Sequence, residues 1–507
     1  MVEIELKFQI EPARRDAVRR AVVASGASAQ KLRLQARYFD TPDACLAGAG
    51  LALRLRREGR SRWVQTLKGR GDGLMQRLEH EVVLPPGVPA TLDLSRHDGT
   101  PAAAALRSAL GPRASELVER FATDIQRTRR VVRALDAEGL PAAIELAWDE
   151  GWITALRDEK PQRVAVAELE FELLSGPPQA LLGLASRWVG RHGLWLDVRS
   201  KAERGHALAA GRPAAATQAQ AALVSRRMAP ARALAAVVQA ALAQVLPNLA
   251  ALADAGPLPA EHVHQLRVGL RRLRVALREF GAGAAGVDPG WDGVLAQLFR
   301  ALGQLRDRDV AQQVLRPARE AAARAGLEFS PPPARHAVAP ALELAAALRE
   351  RGLHQLLLAL IGLTLPSESA PGAAPGAAPL LDVARKRLTR LHKKVRVDAM
   401  RFADLDDAAR HRLRKRLKRL RYSLDFVAPL FAAKSVAAYL ALLKPAQEAL
   451  GQCNDLALTE AAGMAAGARS PGDAYVLGWL GARRDVLSGT AAKRLKALST
   501  AARCWKH

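Results

Sequence analysis

The segment Glu3-Ile4-Glu5-Leu6-Lys7-Phe8 puts Glu3, Glu5 and Lys7 on one side of an extended chain and Ile4, Leu6 and Phe8 on the other, because successive strand side chains point to opposite faces. One face is charged throughout. Glu168-Leu169-Glu170-Phe171-Glu172 repeats the layout, and three carboxylates on one face repel one another unless cations lie among them. Basic strands supply these cations: Arg54 and Arg56 share a face, Lys68 is in phase with Thr66, and Arg77 is in phase with Glu79 and Glu81. Glu145 and Asp149 add acidic groups. The ordinary alternative is an open antiparallel sheet with one solvated face. Two features argue against it. The Glu-x-Glu pairs are segregated from Arg-x-Arg instead of being mixed with Thr, Ser and Gln, and Ile4, Leu6, Phe8, Leu53, Leu55, Leu169 and Phe171 need a cover of their own. A closed barrel with a charged lumen and helices on its outside satisfies both. Carboxylates for a hard divalent cation beside Arg and Lys for phosphate oxygens suit a metal-chelated oligophosphate.

Outward from these strands, period-2 alternation recurs at 51–56, 63–68, 78–84 and 143–148, and helical patterns at 13–25 and 179–190. Residues 1–210 are therefore predicted to form an α+β domain with an antiparallel sheet. Residues 211–222, Gly-Arg-Pro followed by Ala, Thr and Gln, are predicted to be a linker. Beyond them, 223–507 is rich in Ala, Leu and Arg with a 3.6-residue period, which predicts an all-α domain interrupted by a Pro/Ala/Gly loop at 366–379. A chain of 507 residues has room for both domains. The longest apolar run considered, 356–365, is about half of the ~20 residues a membrane span needs. With Glu3 and Glu5 at the start in place of a basic, then apolar, leader, the expectation is a cytoplasmic protein with no membrane partner. Cys45, Cys453 and Cys504 are too few and too scattered for a disulfide framework or a thiolate site.

Charge is distributed unevenly. The net formal charge is +26, of which residues 1–212, with 33 basic and 27 acidic side chains, carry +6, leaving +20 to the rest. A polyanion partner is thus expected mainly for the helical part. That part is internally duplicated: His264-Gln-Leu-Arg267-x-x-x-Arg271-Arg272-Leu273-Arg274 returns as His411-Arg-Leu-Arg414-x-x-x-Lys418-Arg419-Leu420-Arg421, and Leu302-Gly303-Gln304-x-x-Asp307 returns as Leu450-Gly451-Gln452-x-x-Asp455. Offsets of 147 and 148 residues predict two four-helix bundles related by a pseudo-twofold axis. At 100° per residue His264, Arg267, Arg271, Arg274 and Arg278 form one stripe, with Leu266, Leu270, Leu273 and Leu277 opposite, and His411, Arg414, Lys418 and Arg421 form a second. A solvated helix face gains from acids at i, i+4, which these stripes nearly lack, so an external anion is expected there. His264 and His411, surrounded by arginines, would make that binding pH-sensitive. No carboxylate or cysteine stands at ligand spacing from them, which argues against a metal role.

The ordered set Glu3-x-Glu5-x-Lys7, Tyr38-Phe39-Asp40-Thr41-Pro42, Arg54-x-Arg56, Lys68-Gly69, Arg77-x-Glu79, Arg127, Glu168-x-Glu170-x-Glu172 and Ser200-Lys201-Ala202 resembles the CYTH, or triphosphate tunnel metalloenzyme, family over nearly all of residues 1–207. The resemblance implies an eight-stranded antiparallel tunnel binding triphosphate compounds with Mg²⁺ or Mn²⁺. It implies Glu3, Glu5, Glu168 and Glu170 as metal ligands, Lys7, Arg54, Arg56, Lys68, Arg77, Arg127 and Lys201 as holders of phosphate oxygens, and metal-assisted transfer of a phosphoryl group to water. Glu5 and Glu170 are the residues on which catalysis is expected to depend, and Glu170 is also a candidate for orienting the water. The duplicated helical motifs resemble the CHAD family over roughly 225–500, with Arg306, Asp307 and Asp309 matching its second motif; Asn454 replaces the arginine in the second copy. This implies a basic cleft for inorganic polyphosphate formed by His264, Arg267, Arg271, Arg274, His411, Arg414, Lys418 and Arg421. The domain order resembles that of bacterial inorganic triphosphatases.

The leading expectation is therefore hydrolysis of inorganic triphosphate in the N-terminal tunnel, with polyphosphate bound by the helical domain. Alternatives are a polyphosphate-granule-binding protein with weak catalysis, and a tunnel enzyme for an organic triphosphate such as thiamine triphosphate. Nucleic acid is disfavoured, because aromatic side chains for base stacking make up only 4% of the chain.

Overall fold

The computed structural model describes residues 2–23, 29–71, 73–87, 89–254, 258–281, 284, 286–329, 339–365 and 379–506. The strands are β1 Val2–Gln9, β2 Gln30–Asp40, β3 Ala52–Glu58, β4 Arg62–Arg70, β5 Gln76–Val83, β6 Val118–Leu135, β7 Pro141–Arg157, β8 Lys160–Ser175 and β9 Trp195–Leu196. The helices are α1 Arg15–Val23, α2 Cys45–Gly48, α3 Pro101–Leu110, α4 Pro178–His192, α5 Lys201–Ala210, α6 Pro230–Ala253, α7 Ala260–Phe280, α8 Trp291–Arg324, α9 Ala339–Leu348, α10 Arg351–Gly362, α11 Leu380–Met400, α12 Asp407–Val427, α13 Ala433–Ala466 and α14 Pro471–Ser499. Two compact units result. One comprises Met1–Thr217, Val245–Gly256 and Leu348–Leu365; the other comprises Gln218–Gln244, Pro257–Ala347 and Pro366–His507. Two pieces from the helical half of the sequence thus belong to the first unit.

In the first unit the strands run in the order β5-β4-β3-β2-β6-β7-β8-β1, all antiparallel, and β1 pairs back to β5 through Val2↔Leu78, Glu3↔Arg77 and Ile4↔Gln76. The eight-stranded sheet is therefore a closed barrel, which leaves no free edge among these strands. β9 adds to β1 through Phe8↔Leu196 and Gln9↔Trp195. The outer apolar residues have the cover they need: Leu53 and Leu67 pack with Leu46 of α2 and Leu106 and Leu110 of α3, and Phe171 meets Trp188 of α4 edge-on. α5 covers the lumen-facing apolar residues Phe121, Ile125, Ile153 and Ala155. Gly205 is required there, because a Cβ at that position would lie 2.2 Å from the Phe121 ring. Ser200 and Glu203 start this helix with a reciprocal capping box. α10 packs on α4, burying Leu353, Leu357, Leu360 and Ile361.

In the second unit the sequence duplication is visible as helix lengths: α7 and α12 both have 21 residues, and α8 and α13 both have 34. The leucines opposite the basic stripes are core, with Leu266, Leu270, Leu273, Leu413, Leu417, Leu420 and Leu424 fully buried. α6 is long and apolar enough to cross a membrane by length and composition, a candidate that the 356–365 run did not reveal. Two thirds of its apolar window is buried inside the protein, as in a core helix. The three cysteines are free thiols. The Pro/Ala/Gly loop at 366–378 lies outside the described residues.

Candidate functional site

The barrel encloses a cavity of about 680 Å³ lined by Glu3, Glu5, Lys7, Arg54, Arg56, Lys68, Arg77, Arg127, Glu170 and Lys201, together with Tyr38, Glu58, Arg62, Glu79, Glu81, Arg129, Glu145, Asp149, Glu172 and His206. Register explains how they meet. Lys7 pairs with Glu170, Glu5 with Glu172, Lys68 with Glu79, Arg127 with Asp149, and Asp149 with Glu168, and partners opposite one another in a ladder share a face. Glu168, almost fully buried, lies beside this cavity and receives Lys201, Arg204 and Gln9.

Cations and carboxylates are interleaved around the wall. Arg127 holds Asp149 through Nε and Nη2, both at 2.7 Å, and also reaches Glu170. Lys201 Nζ lies 2.7 Å from Asp149 and 3.0 Å from Glu170. Lys68 pairs with Glu3 at 3.0 Å and Glu79 at 2.8 Å, Lys7 with Glu5 at 3.0 Å, and Arg77 with Glu5 at 3.6 Å. Arg54 lies 3.5 Å from Glu81, and Arg56 lies 3.1 Å from Glu81 and also pairs with Glu58. The buried Nε atoms of Arg54 and Arg56 have no hydrogen-bond partner among the described residues. Donors left over in a cavity of this kind favour an anion.

These contacts set the protonation states. Burial raises Glu79 to about 8, helped by its hydrogen bond with Glu3, while that bond and the Lys68 charge outweigh burial at Glu3 and hold it at about 2. Glu172 is pushed up to about 7 by burial and by Glu3 and Glu145. Against burial, Lys201, Arg127 and Lys7 keep Glu170 well below the usual carboxylate range. Burial, with the charges of Arg54 and Arg127, brings Arg56 down to about 10.

For a divalent cation the donor set fits. Ligand atoms of Asp149, Glu168 and Glu170 lie within 4.8 Å of one another, and oxygen donors are what Mg²⁺ and Mn²⁺ take. Of the four predicted metal ligands, Glu168 and Glu170 meet here. Glu3 lies with Lys68 and Glu79, and Glu5 with Lys7 and Arg77, elsewhere on the same wall. Asp149 enters the cluster through its pairing with Glu168, which local alternation does not reveal. Sequence reasoning also passed over Arg204, one turn from Lys201 on α5 and 3.0 Å from Glu168; the capping box Ser200–Glu203 is the signal that would have placed both on one helix face. Glu58 extends the Arg54-x-Arg56 alternation by one more step.

In the second unit the two repeated motifs meet. His411 Nδ1 lies 2.8 Å from Asn454 Oδ1 and Arg414 lies 3.3 Å from Asp455, so the His-x-x-Arg helix faces the Leu-Gly-Gln helix. Gly303 and Gly451 stand where the Arg267 and Arg414 guanidinium groups lie against α8 and α13, with a Cβ at Gly303 coming 3.0 Å from Arg267 Nη1. The Phe299 ring carries Arg267 at 4.6 Å and Arg271 at 5.1 Å. The stripes also converge: Lys418 is brought down to about 6 by burial and then by Arg271 and Arg414. The stripe ends differ from the acid-poor expectation. Arg274 is held by Asp292 of α8 at 2.8 Å, and Arg421 lies 3.6 Å from Asp425 one turn on. The side chains of Arg306, Asp307 and Asp309 lie outside the described residues.

A closed antiparallel barrel with a lumen of interleaved carboxylates and cations, followed by a duplicated basic helical region, defines a two-module class. The family models assign it: residues 1–205 are a CYTH domain and residues 236–462 a CHAD domain, in that order. An inorganic triphosphatase from Haemophilus influenzae is 33% identical over 186 residues, 35% of this chain, and the match spans 47% of that curated relative, about half its length. Among solved structures, the CHAD domain from Ricinus communis is 26% identical over 57% of this chain and 98% of its own, with a TM-score of 0.45. A putative adenylyl cyclase from Hippeastrum, described as having a dominant triphosphatase activity, is 18% identical over 42% of this chain and 97% of its own, with a TM-score of 0.27.

Proposed function

We propose that the CYTH domain hydrolyses inorganic triphosphate with a divalent cation, and that the CHAD domain binds polyphosphate. The observation that carries the first part is the lumen itself, in which nine Lys and Arg side chains and the Asp149–Glu168–Glu170 cluster line or adjoin one cavity of about 680 Å³. Arg54, Arg56, Lys68, Arg77 and Lys7 would orient the phosphate chain by charge-assisted hydrogen bonds, exchanging their carboxylate partners for phosphate oxygens. Asp149, Glu168 and Glu170 would hold Mg²⁺ or Mn²⁺, which supplies Lewis acidity toward phosphate oxygens and water. Glu79, whose pKa is raised by burial and by its hydrogen bond with Glu3, would add less negative charge to the anion site than a fully ionised carboxylate. The triphosphatase relative supports this reading. Phosphate release from triphosphate, pyrophosphate, ATP, thiamine triphosphate and long polyphosphate, each with Mg²⁺, Mn²⁺ and chelator, tests it; release that is fastest from an organic triphosphate, or unaffected by chelator, overturns it.

For the helical domain, the convergence of Arg267, Arg271, Arg414 and Lys418 supports a polyanion site. Arg267→Glu with Arg271→Glu is expected to abolish binding of long polyphosphate. Affinity should fall steeply with salt as counterions are released. Duplex DNA competing as well as polyphosphate at equal phosphate concentration would identify a nonspecific basic surface instead.

A further inference from the structure

The segment that leads into α5 has more anchors than a connection needs. Leu194, Trp195, Leu196 and Asp197 are all buried. The segment is tied to the lumen wall in three ways: β9 pairs with β1, Asp197 N donates to Lys7 O at 2.9 Å, and the lumen side chain Arg77 donates through Nη2 to Val198 O at 3.3 Å. Ser200 then caps the helix whose first residue is Lys201. The other anchors come from residues beyond the linker, within the same compact unit. Leu196 N donates to His354 Nδ1 at 3.1 Å, and His354 Nε2 in turn donates to Leu348 O at 2.8 Å, which fixes its tautomer. Arg199 is forked: Nε and Nη2 bond Asp197 at 2.9 and 2.7 Å, and Nη1 lies 2.8 Å from Asp254, just past the end of α6. Arg349 bonds Ala253 O at 2.8 Å and stacks its guanidinium 4.6 Å from the Trp195 ring centroid.

We infer that residues 194–199 form a strap through which Asp254 and His354, both contributed by the helical half of the sequence, position the lumen cations Arg77 and Lys201. Asp254, Arg199 and His354 are positioning residues. None lines the cavity, and each acts through the strap backbone that receives Arg77 and leads into Lys201. The physical reason is pre-organisation. Arg77 and Lys201 stand among carboxylates that attract them in several directions, so without a fixed Val198 carbonyl and a fixed α5 N-terminus they would settle on carboxylates away from the phosphate positions. Of the anchors, the Arg199–Asp254 bridge is the one that can be cut with least damage, because the Asp254 side chain is 56% exposed.

The inference rests on the reading of the lumen as a triphosphate site, and the experiment separates the two. In the full chain, Asp254→Asn is expected to raise KM for triphosphate about tenfold, as loss of an outer supporting group does, with kcat little changed and the thermal midpoint unmoved. Asp254→Glu should restore KM. Asp98→Asn, which cuts the exposed Arg107–Asp98 pair of the same unit, should leave KM alone. Wild-type KM in both Asp254→Asn and Arg199→Gln, each folded, overturns the strap. If the wild-type protein releases no phosphate from triphosphate, the functional reading fails and the strap is judged by amide hydrogen exchange at 196–204: faster exchange in Asp254→Asn at an unchanged thermal midpoint supports it, and equal rates overturn it.

Discussion

Lys201 Nζ lies 2.7 Å from the fully buried carboxylate of Asp149, at the point where Glu168 and Glu170 also converge. One ammonium is therefore shared by three largely buried acids, beside the guanidinium groups of Arg127 and Arg204, and those acids keep Lys201 charged against its burial. Lys201→Met should leave the three acids with only Arg127 and Arg204 to compensate them. Breaking a buried pair by removing one partner costs about 3–5 kcal/mol, so the thermal midpoint of the metal-free variant should fall by several degrees. Added Mn²⁺ or Mg²⁺ should then restore more of it than it adds to the wild type, because a bound cation takes over the lost compensation. A variant whose midpoint ignores both the mutation and the metal would show that these acids do not form one electrostatic unit.

Glu170 stands between the cations Arg127 and Lys201 and is held strongly ionised, so Glu170→Gln removes one charge without changing the shape of the wall. It is expected to cost at least ~10²-fold in metal-dependent triphosphate turnover, the order seen when a preorganised group at a charged centre is lost. Glu5→Gln, which leaves Lys7 and Arg77 without their shared carboxylate, should raise KM more than it lowers kcat. Steady-state kinetics at saturating metal read both. Equal, small effects from the two substitutions would contradict the division of roles.

The strands whose faces are charged on one side and apolar on the other, β1, β3, β4, β5 and β8, were legible because a charged lumen and an apolar outer wall enforce the period of two. β2 and β6 were less legible, because their lumen faces carry Leu34, Ala36, Thr123 and Ile125 where α5 covers them, and that blurs the alternation. α3 was missed although Thr100-Pro101 is a ready N-terminus, with the Thr100 side chain accepting from Ala103 N. The duplicated motifs foretold the matched helices α7 and α12. Their facing partners were not readable, since Asp292 reaches Arg274 from another helix. Nor could any local pattern show that α10, deep in the helical half, packs on α4 of the barrel unit.

That last contact predicts how a fragment behaves. Charge distribution alone suggests that residues 1–212 would work by themselves. The structure places α10 on α4, with Leu353, Leu357, Leu360 and Ile361 buried, and puts His354 and Asp254 on the strap. A 1–212 fragment loses all of these and leaves an apolar face on α4 uncovered, the kind of patch that drives association. It should be less soluble and melt lower than the full chain. Any triphosphatase activity it keeps should show a raised KM. A fragment matching the full chain in thermal midpoint and KM would mean that these contacts add nothing to the barrel.

Lys418 gives polyphosphate binding a pH dependence whose sign can be worked out. Burial, then the neighbouring Arg271 and Arg414, bring its ordinary amine value down to about 6, against the opposing charge of Asp455, so most of the free protein carries it neutral at pH 7.5. A bound polyanion supplies the negative charge that Lys418 lacks and raises its pKa above 6 in the complex. Well below pH 6 the group is protonated in both states, so it strengthens binding by its charge but adds no pH dependence. Between 6 and the bound-state value each unit of pH rise should weaken binding up to about tenfold, because the complex must take up a proton. Calorimetry in two buffers of different ionisation enthalpy should therefore show nearly one proton absorbed per site at pH 7.5. Lys418→Arg, charged throughout, should bind without this uptake and be stronger at pH 8, whereas Lys418→Met should be weaker at pH 5.5 and show no uptake. Equal proton uptake by wild type and Lys418→Arg would assign the titration to other groups, with His264 and His411 at the heads of the two stripes the next to test.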